Sequence, residues 1–113
     1  MAFDKKIAVE LLGLFDNFPF ESFLRSTEIH HVQWQKLIPV SVEEYPADTI
    51  LWHLYILSHS NLIFPQLEIE EIHRFLENEP KQDSKKGEFV FEILQSILPK
   101  HTLTVQGYEY IHE

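Results

Sequence analysis

Apolar residues recur every three or four positions over residues 3–18, and this spacing predicts an amphipathic helix. Five of them form a single stripe: Phe3, Ile7, Leu11, Leu14 and Phe18. Pro19 is expected to end the helix, because proline biases the residue before it away from helical dihedral angles. The following segment, FPFESFLRSTE, favours a short second helix with Phe20, Phe23 and Leu24 turned inward.

The hydrophobic period changes over residues 29–38, where the side chains alternate with a period of two. Such alternation is typical of a strand, although neither of the two alternating sets is cleanly apolar. The segment contains Trp34 and ends before Pro39. We therefore predict a strand over 29–38.

The most apolar stretch, residues 49–64, is short for a bilayer span and contains two histidines and an asparagine. We expect it to supply the core, as a helix that begins at Asp48 or Thr49 and runs to about Ser58. Its apolar residues lie nearly all round, and a helix of this kind is buried on most sides. A central strand would show a similar pattern, so the type of element stays open.

Two further amphipathic helices are predicted in the second half of the chain. Over 66–79, Glu70, Arg74 and Glu77 form a polar ridge opposite the apolar face of Ile69, Ile72, Phe75 and Leu76. Glu70 and Arg74 have the i,i+4 spacing at which opposite charges stabilise a helix. The next helix covers roughly 87–98 and Ser84 is placed to cap it; its apolar residues are Phe89, Ile93, Leu94 and Ile97.

The C-terminal segment, HTLTVQGYEYIHE, is rich in β-branched and aromatic residues around Gly107. Glycine supplies the positive φ that a tight turn needs, so we predict a hairpin that pairs 102–105 with 108–112. The resulting fold class is α+β. It consists of one globular domain over residues 1–113, with four or five helices and a small antiparallel sheet that includes this hairpin.

Composition excludes several kinds of site and partner. The chain has no cysteine, which rules out disulfides, thiolate zinc sites and cysteine nucleophiles. Nine Lys and Arg against eighteen Asp and Glu give a net charge of −9, so we expect neither nucleic acid nor membrane as a partner. An acidic surface instead favours a basic protein partner. The N-terminal segment has charges where a signal peptide has an apolar run, and we expect a cytoplasmic protein.

Three Glu-x-x-His pairs are the main candidates for metal chemistry: Glu28–His31, Glu70–His73 and Glu109–His112. On a helix, residues three apart share a face, and di-iron bundles combine two such pairs with two further glutamates. Only the second pair lies on a predicted helix. The other two fall on predicted strand segments, where residues three apart point to opposite faces. Chance accounts for part of the pattern in a chain with fourteen glutamates and seven histidines, and we predict no metal site and no cofactor.

Other catalytic patterns are weak. Ser58 and His59 place a hydroxyl beside an imidazole, but a catalytic triad is set by fold geometry rather than by neighbours in sequence. The three glycines are too dispersed to build a phosphate-binding loop. Histidines hydrogen-bonded to the backbone at the margin of the core are the more common arrangement. We therefore expect that the protein is not an enzyme.

The remaining candidates combine aromatic side chains with neighbouring carboxylates. Aromatic residues anchor protein interfaces, and carboxylates beside them would meet Lys or Arg of a partner. The alternative is that the aromatic residues among them belong to the core or its rim. The predicted partner-binding residues are Trp34, Glu43, Glu44, Tyr45, Asp48, Glu70, Glu77, Tyr108, Glu109 and Tyr110.

The sharpest form of this prediction is an inhibitor that covers the basic active site of a nuclease. Such a site is built to hold phosphates, and clustered carboxylates compete for the same cations. The chain resembles immunity proteins to nuclease toxins, and nucleic-acid mimics, in its acidic composition alone. Two alternatives stay open: an accessory or adaptor subunit of a complex, and a small metal-dependent enzyme that uses the Glu-x-x-His pairs.

Overall fold

The computed structural model describes residues 3–17, 40–82 and 85–112 of the chain. Its elements, in chain order, are α1 (Lys5–Asn17), α2 (Val40–Glu44), α3 (Ala47–His59), β1 (Ile63–Phe64), α4 (Ile69–Glu77), α5 (Lys86–Ile97), a 3-10 turn (Leu98–Lys100), β2 (Thr102–Leu103) and α6 (Val105–Ile111). The predicted α+β class, rich in helices with a small antiparallel sheet, is confirmed. The predicted second helix and the strand over 29–38, with Trp34, lie outside the described residues.

Helix α3 occupies the middle of the core. Four of its apolar residues are fully buried: Ile50, Leu51, Leu54 and Leu57. The helix begins earlier than the predicted cap at Asp48 or Thr49, because Pro46 precedes the first turn with φ −58° and ψ 146°. The Pro46 carbonyl oxygen accepts the first helical hydrogen bond, from the Ile50 amide at 3.2 Å. Proline fixes φ without strain at such a position, which explains the earlier start.

The helices predicted over 3–18, 66–79 and 87–98 are confirmed, and each buries most of its apolar stripe against the core. Helix α1 buries Leu11 and Leu12 completely, whereas Phe3, predicted to belong to its stripe, is 47 % exposed ahead of the first turn. Helix α4 buries Ile72, but Ile69 at its start is 37 % exposed. Helix α5 begins after Lys85, and Ser84, its predicted cap, lies outside the described residues. None of the described helices is both long and apolar enough to cross a bilayer.

The predicted C-terminal hairpin is wrong. Strand β2 pairs with β1 instead, antiparallel, with Ile63 opposite Leu103. The residues beyond it form helix α6, whose N-cap is Thr104: the Thr104 hydroxyl accepts a hydrogen bond from the Gly107 amide at 2.9 Å. Threonine is a favoured N-cap because its side-chain oxygen satisfies an amide that the helix leaves without a partner. This cap favours a helix over the strand that the β-branched and aromatic residues predict.

Gly107 is buried inside α6 and does not have a positive φ. It allows the helix to lie directly on the chain ahead of β1. A Cβ at this position would overlap the Leu62 carbonyl oxygen and lie 2.7 Å from Leu103 Cδ1. The glycine is therefore needed for a close approach and not for a turn.

We expect Gly107→Ala to lower the free energy of unfolding by about 1–3 kcal/mol, because the added methyl group overpacks this contact. Gly13 in α1 is the matched control, since a Cβ there has no neighbouring heavy atom within 4 Å. Gly13→Ala should stabilise the protein by about 0.5–1 kcal/mol through its higher helix propensity. Urea denaturation of both variants is the measurement. A neutral or stabilising Gly107→Ala would contradict the close packing of α6.

Candidate protein-binding surface

Three of the predicted contact carboxylates lie together where α2 meets α3. Glu43 and Glu44 end α2, Asp48 lies in the first turn of α3, and all three side chains are exposed. Two further carboxylates belong to this surface: Asp4, the residue ahead of α1, and Glu10, which lies on α1. We call these five carboxylates the acidic corner.

Glu10 is tied to α2 and the residue after it by two hydroxyl groups. The Ser41 hydroxyl donates a hydrogen bond to Glu10 Oε2 at 3.1 Å. The Tyr45 hydroxyl also bonds the Glu10 carboxylate. Burial raises the pKa of Tyr45 above its ordinary value of 10.0, the hydrogen bond to Glu10 adds to this, and the negative charges of Glu10, Asp4 and Glu44 raise the pKa further. Tyr45, predicted as a contact residue, is half-buried and serves mainly to hold this corner together.

Asp4 is held next to α3 by the buried imidazole of His53. Nδ1 of His53 donates to the Thr49 carbonyl oxygen at 2.7 Å, because a carbonyl can only accept. Nε2 therefore accepts in the neutral ring, and the Asp4 amide donates to it at 3.0 Å. The chain entering α1 thus lies one imidazole away from the first turn of α3, where Asp48 is exposed.

Positive charge is scarce in the sequence that builds this surface. Between Lys36 and Arg74 the chain has six carboxylates and no Lys or Arg. Lys5 and Lys6 adjoin Asp4, and the Lys5 ammonium lies 5.3 Å from the centre of the Tyr110 ring. Lys5 therefore makes a cation–π contact with Tyr110, and this contact directs its charge toward α6.

A row of aromatic rings on α3 and α4 extends from the acidic corner. Trp52, half-buried, contacts the exposed His73 edge-on at 6.2 Å between ring centres and Tyr55 at 5.7 Å. Tyr55 in turn lies 4.3 Å from the His59 ring. We call these four residues the aromatic row. Trp52 and Tyr55 pack against the core as half-buried residues, and the spacing of Asp48, Trp52, Tyr55 and His59 by four, three and four residues indicates a stripe on one face of α3.

Glu70 and Glu77 lie on the exposed face of α4, on either side of His73. All three side chains are exposed, and their spacing of three and four residues places them on one side of the helix. Asp48 thus lies one helical turn before Trp52 on α3, and the two glutamates flank His73 on α4. These predicted contact residues belong to the same surface as Trp52.

The predicted residues of the C-terminal segment lie on α6, not on a strand. Tyr108 is 52 % exposed and its ring lies 4.3 Å from that of His112, and Glu109 is exposed. Tyr110 is half-buried and packs against the core beneath Lys5, so it matches the alternative of a core-rim residue. Trp34, the remaining predicted contact residue, lies outside the described residues.

The histidine patterns have structural explanations where the structure describes them. The Ser58 hydroxyl is fully buried; it donates to the Tyr55 carbonyl oxygen at 2.8 Å and accepts from the Leu67 amide at 3.0 Å. His59 donates from Nε2 to the Leu67 carbonyl oxygen at 2.8 Å. The neighbouring Ser-His pair therefore fixes the loop around Leu67, and the expected bonding of histidine to the backbone is confirmed for His53 and His59.

The Glu-x-x-His pairs do not assemble with one another in the described part of the chain. Glu70 and His73 share a face of α4, as predicted. Glu109 lies on α6 and His112 caps it, so the assignment of this pair to a strand is wrong. The pair Glu28–His31 lies outside the described residues. Within the described ranges, no three His, Asp or Glu side chains converge so that they could hold a metal ion.

We expect Glu10→Gln to lower the pKa of Tyr45, because it removes a negative charge that disfavours the tyrosinate. Asp16→Asn, at the exposed end of α1, is the control and should leave the pKa of Tyr45 unchanged. The measurement is an NMR titration of the Tyr45 ring, assigned with Tyr45→Phe. Since the folded-state pKa is above the unfolded one, the contribution of Tyr45 to stability is present below about pH 10 and is lost as pH rises further. An equal pKa of Tyr45 in Glu10→Gln and Asp16→Asn would contradict the contact between Tyr45 and Glu10.

The described geometry is thus an acidic corner joined to an aromatic row. No protein-family model, curated protein or solved structure matches this chain.

Proposed function

We propose that this chain is a protein-binding domain whose acidic surface covers a basic site on a partner protein, and that it acts as an inhibitor of the immunity-protein type. The observation that supports this best is the acidic corner. The charges of Asp4, Glu10 and Glu44 all act on Tyr45, and the exposed Glu43 and Asp48 are its near neighbours in sequence. Like charges held close together destabilise the compact state, and a cationic partner relieves that repulsion.

Burial is the largest cause of the raised pKa of Tyr45, and negative potential at the acidic corner adds to it. Three carboxylates of the acidic corner, Glu10, Asp4 and Glu44, each raise it. The same potential would attract lysine and arginine side chains of a partner and speed their approach. The corner therefore provides steering, which is the main contribution of exposed charge to association.

The aromatic row supplies the second property that an interface needs. Trp52 is half-buried and held edge-on between Tyr55 and His73, so its ring is ordered before a partner arrives. Ordered aromatic side chains anchor interfaces at a low entropic cost, and a surrounding rim of charge excludes wrong partners. Asp48, Glu70 and Glu77 form such a rim.

A nuclease is the class of partner that this surface would suit. The active site of a nuclease is lined with cations that hold the phosphates of its substrate, and closely spaced carboxylates can occupy the same positions. An accessory subunit without inhibitory action would use the same surface against a different basic protein. The two are separated by measuring the partner's nuclease activity with and without this domain.

The first test is to recover the partner from the source cells at low salt and measure its association rate with purified protein. We expect the double reversal Glu43→Lys with Glu44→Lys to slow association at low salt by about tenfold or more, because it removes electrostatic steering. Raising the salt concentration should shrink this difference, since exposed charges are then screened.

The matched control is Glu88→Lys with Glu92→Lys, which makes the same change in net charge at two exposed positions on α5. If both double variants slow association equally, net charge alone is responsible and the acidic corner is not the contact. If neither does, the proposal is wrong.

A second prediction concerns the aromatic row. His73→Ala should speed dissociation of the complex by about fivefold or more, because it removes one support of Trp52 at the interface. Its free energy of unfolding should change by no more than about 0.5 kcal/mol, as is usual for an exposed side chain. His112→Ala on α6 is the control and should leave dissociation unchanged. Loss of a bound metal ion in His73→Ala would instead favour the metal-dependent enzyme.

A further inference from the structure

The structure contains a cavity of about 450 Å³ on the side of α4 that faces α5 and the 3-10 turn. It lies away from the aromatic row, because Glu71 and Arg74 line it whereas His73 points toward Trp52. Its volume is within the range of small-molecule sites, which is about 300–1,000 Å³. The question is which ligand its lining would hold.

Two of the few cations in this acidic chain line this cavity. Arg74 on α4 and Lys100 at the end of the 3-10 turn both line it, and both side chains are exposed. Both cations can bind an anionic group. An arginine guanidinium is suited in particular to a carboxylate, which it binds through two parallel hydrogen bonds.

Two carboxylates line the same cavity. Glu68 precedes α4 and Glu71 lies in its first turn, so the lining has two negative and two positive side chains. A multiply charged anion such as phosphate would meet these glutamates, which would repel it. A ligand with one carboxylate and one ammonium group would satisfy both pairs.

His101 supplies a buried polar group with an open hydrogen-bonding position. The side chain is 7 % exposed and lines the cavity. Its Nδ1 donates to the Pro65 carbonyl oxygen at 2.7 Å, which leaves Nε2 as an acceptor in the neutral ring. Among the described residues Nε2 has no hydrogen-bond partner. An ammonium group in the cavity is a donor from which Nε2 can accept a hydrogen bond.

We propose that this cavity binds a small zwitterion, a free amino acid, with its carboxylate on Arg74 and Lys100 and its ammonium group near His101 Nε2 and the two glutamates. Phe75 and Pro65 provide an apolar wall for the ligand side chain. This site is independent of the acidic corner, so it adds a small-molecule ligand to a domain proposed above to bind protein.

The test is an NMR titration of the purified protein with each common L-amino acid at millimolar concentration, with the amide signals of Glu71, Arg74, Lys100 and His101 as readouts. We expect saturable shifts of these signals with at least one amino acid, and a change in the ¹⁵N shift of His101 Nε2. No saturable shift with any of them would overturn the proposal. Saturation with inorganic phosphate alone would show an anion site and would overturn it equally.

Two analogues of the amino acid that binds test the two halves of the site. The amide, which lacks the carboxylate, and the N-acetyl derivative, which lacks the ammonium group, should each bind about tenfold more weakly or worse, because each loses charge-assisted hydrogen bonds. If the N-acetyl derivative binds as tightly as the free amino acid, the glutamates and His101 do not recognise an ammonium group, and the proposal fails.

The double variant Arg74→Gln with Lys100→Gln should weaken binding by about tenfold or more, since it removes both cations. Lys81→Gln with Lys85→Gln is the matched control. Both lysines are exposed and lie outside the cavity lining, and their substitution removes the same amount of positive charge. All four positions are exposed, so the variants should keep a dispersed amide spectrum. Equal affinity in the two double variants would overturn the assignment of the cations.

Discussion

The rest of the structure depends on the burial of α3. A helix with apolar residues nearly all round must be covered on most sides, because each exposed apolar face would lose the free energy of its transfer out of water. Helices α1, α4 and α5 and strand β1 all pack against it. The small sheet is a consequence of the same requirement, since Ile63 in β1 is buried against the core and β2 supplies its hydrogen-bonding partner. The positions of the other elements follow from what α3 needs to bury.

The candidate surface consists of what this burial leaves exposed. Only the first turn of α3 and one stripe along it reach solvent, and these are the places where Asp48 and the aromatic residues lie. The buried His53 links α3 to the chain that enters α1. Its ring bonds the Thr49 carbonyl oxygen on α3 and the Asp4 amide, and so holds Asp4 beside the start of α3. A single polar group in an apolar interior thus sets the distance between two parts of the acidic corner. This is the usual role of a buried polar residue that has all its hydrogen bonds.

Helical periodicity was sufficient to predict α1, α4 and α5, because each buries apolar residues along one face; at α3, apolar nearly all round, the pattern fitted a central strand as well as a helix. The C-terminal segment could not be predicted in this way. Its β-branched and aromatic residues favour a strand, but a side-chain cap at Thr104 and a close contact at Gly107 decide for a helix. The acidic corner was predicted in part, where its members are neighbours in sequence. Asp4 and Glu10 join it only through tertiary contacts, and Trp52, expected in the core, packs against the core as a half-buried residue.

The packing of α1 against α6 has a consequence for the order of folding. Lys5 of α1 lies over the ring of Tyr110 of α6, and the two helices pack against each other although they are far apart in the sequence. During synthesis the N-terminal part emerges first, and contacts between residues distant in sequence form late. Helix α1 therefore leaves the ribosome before α3 and α6, the helices that it packs against most, have been made. Because α1 also supports the acidic corner, the candidate surface is complete only after these later helices have been made and have docked.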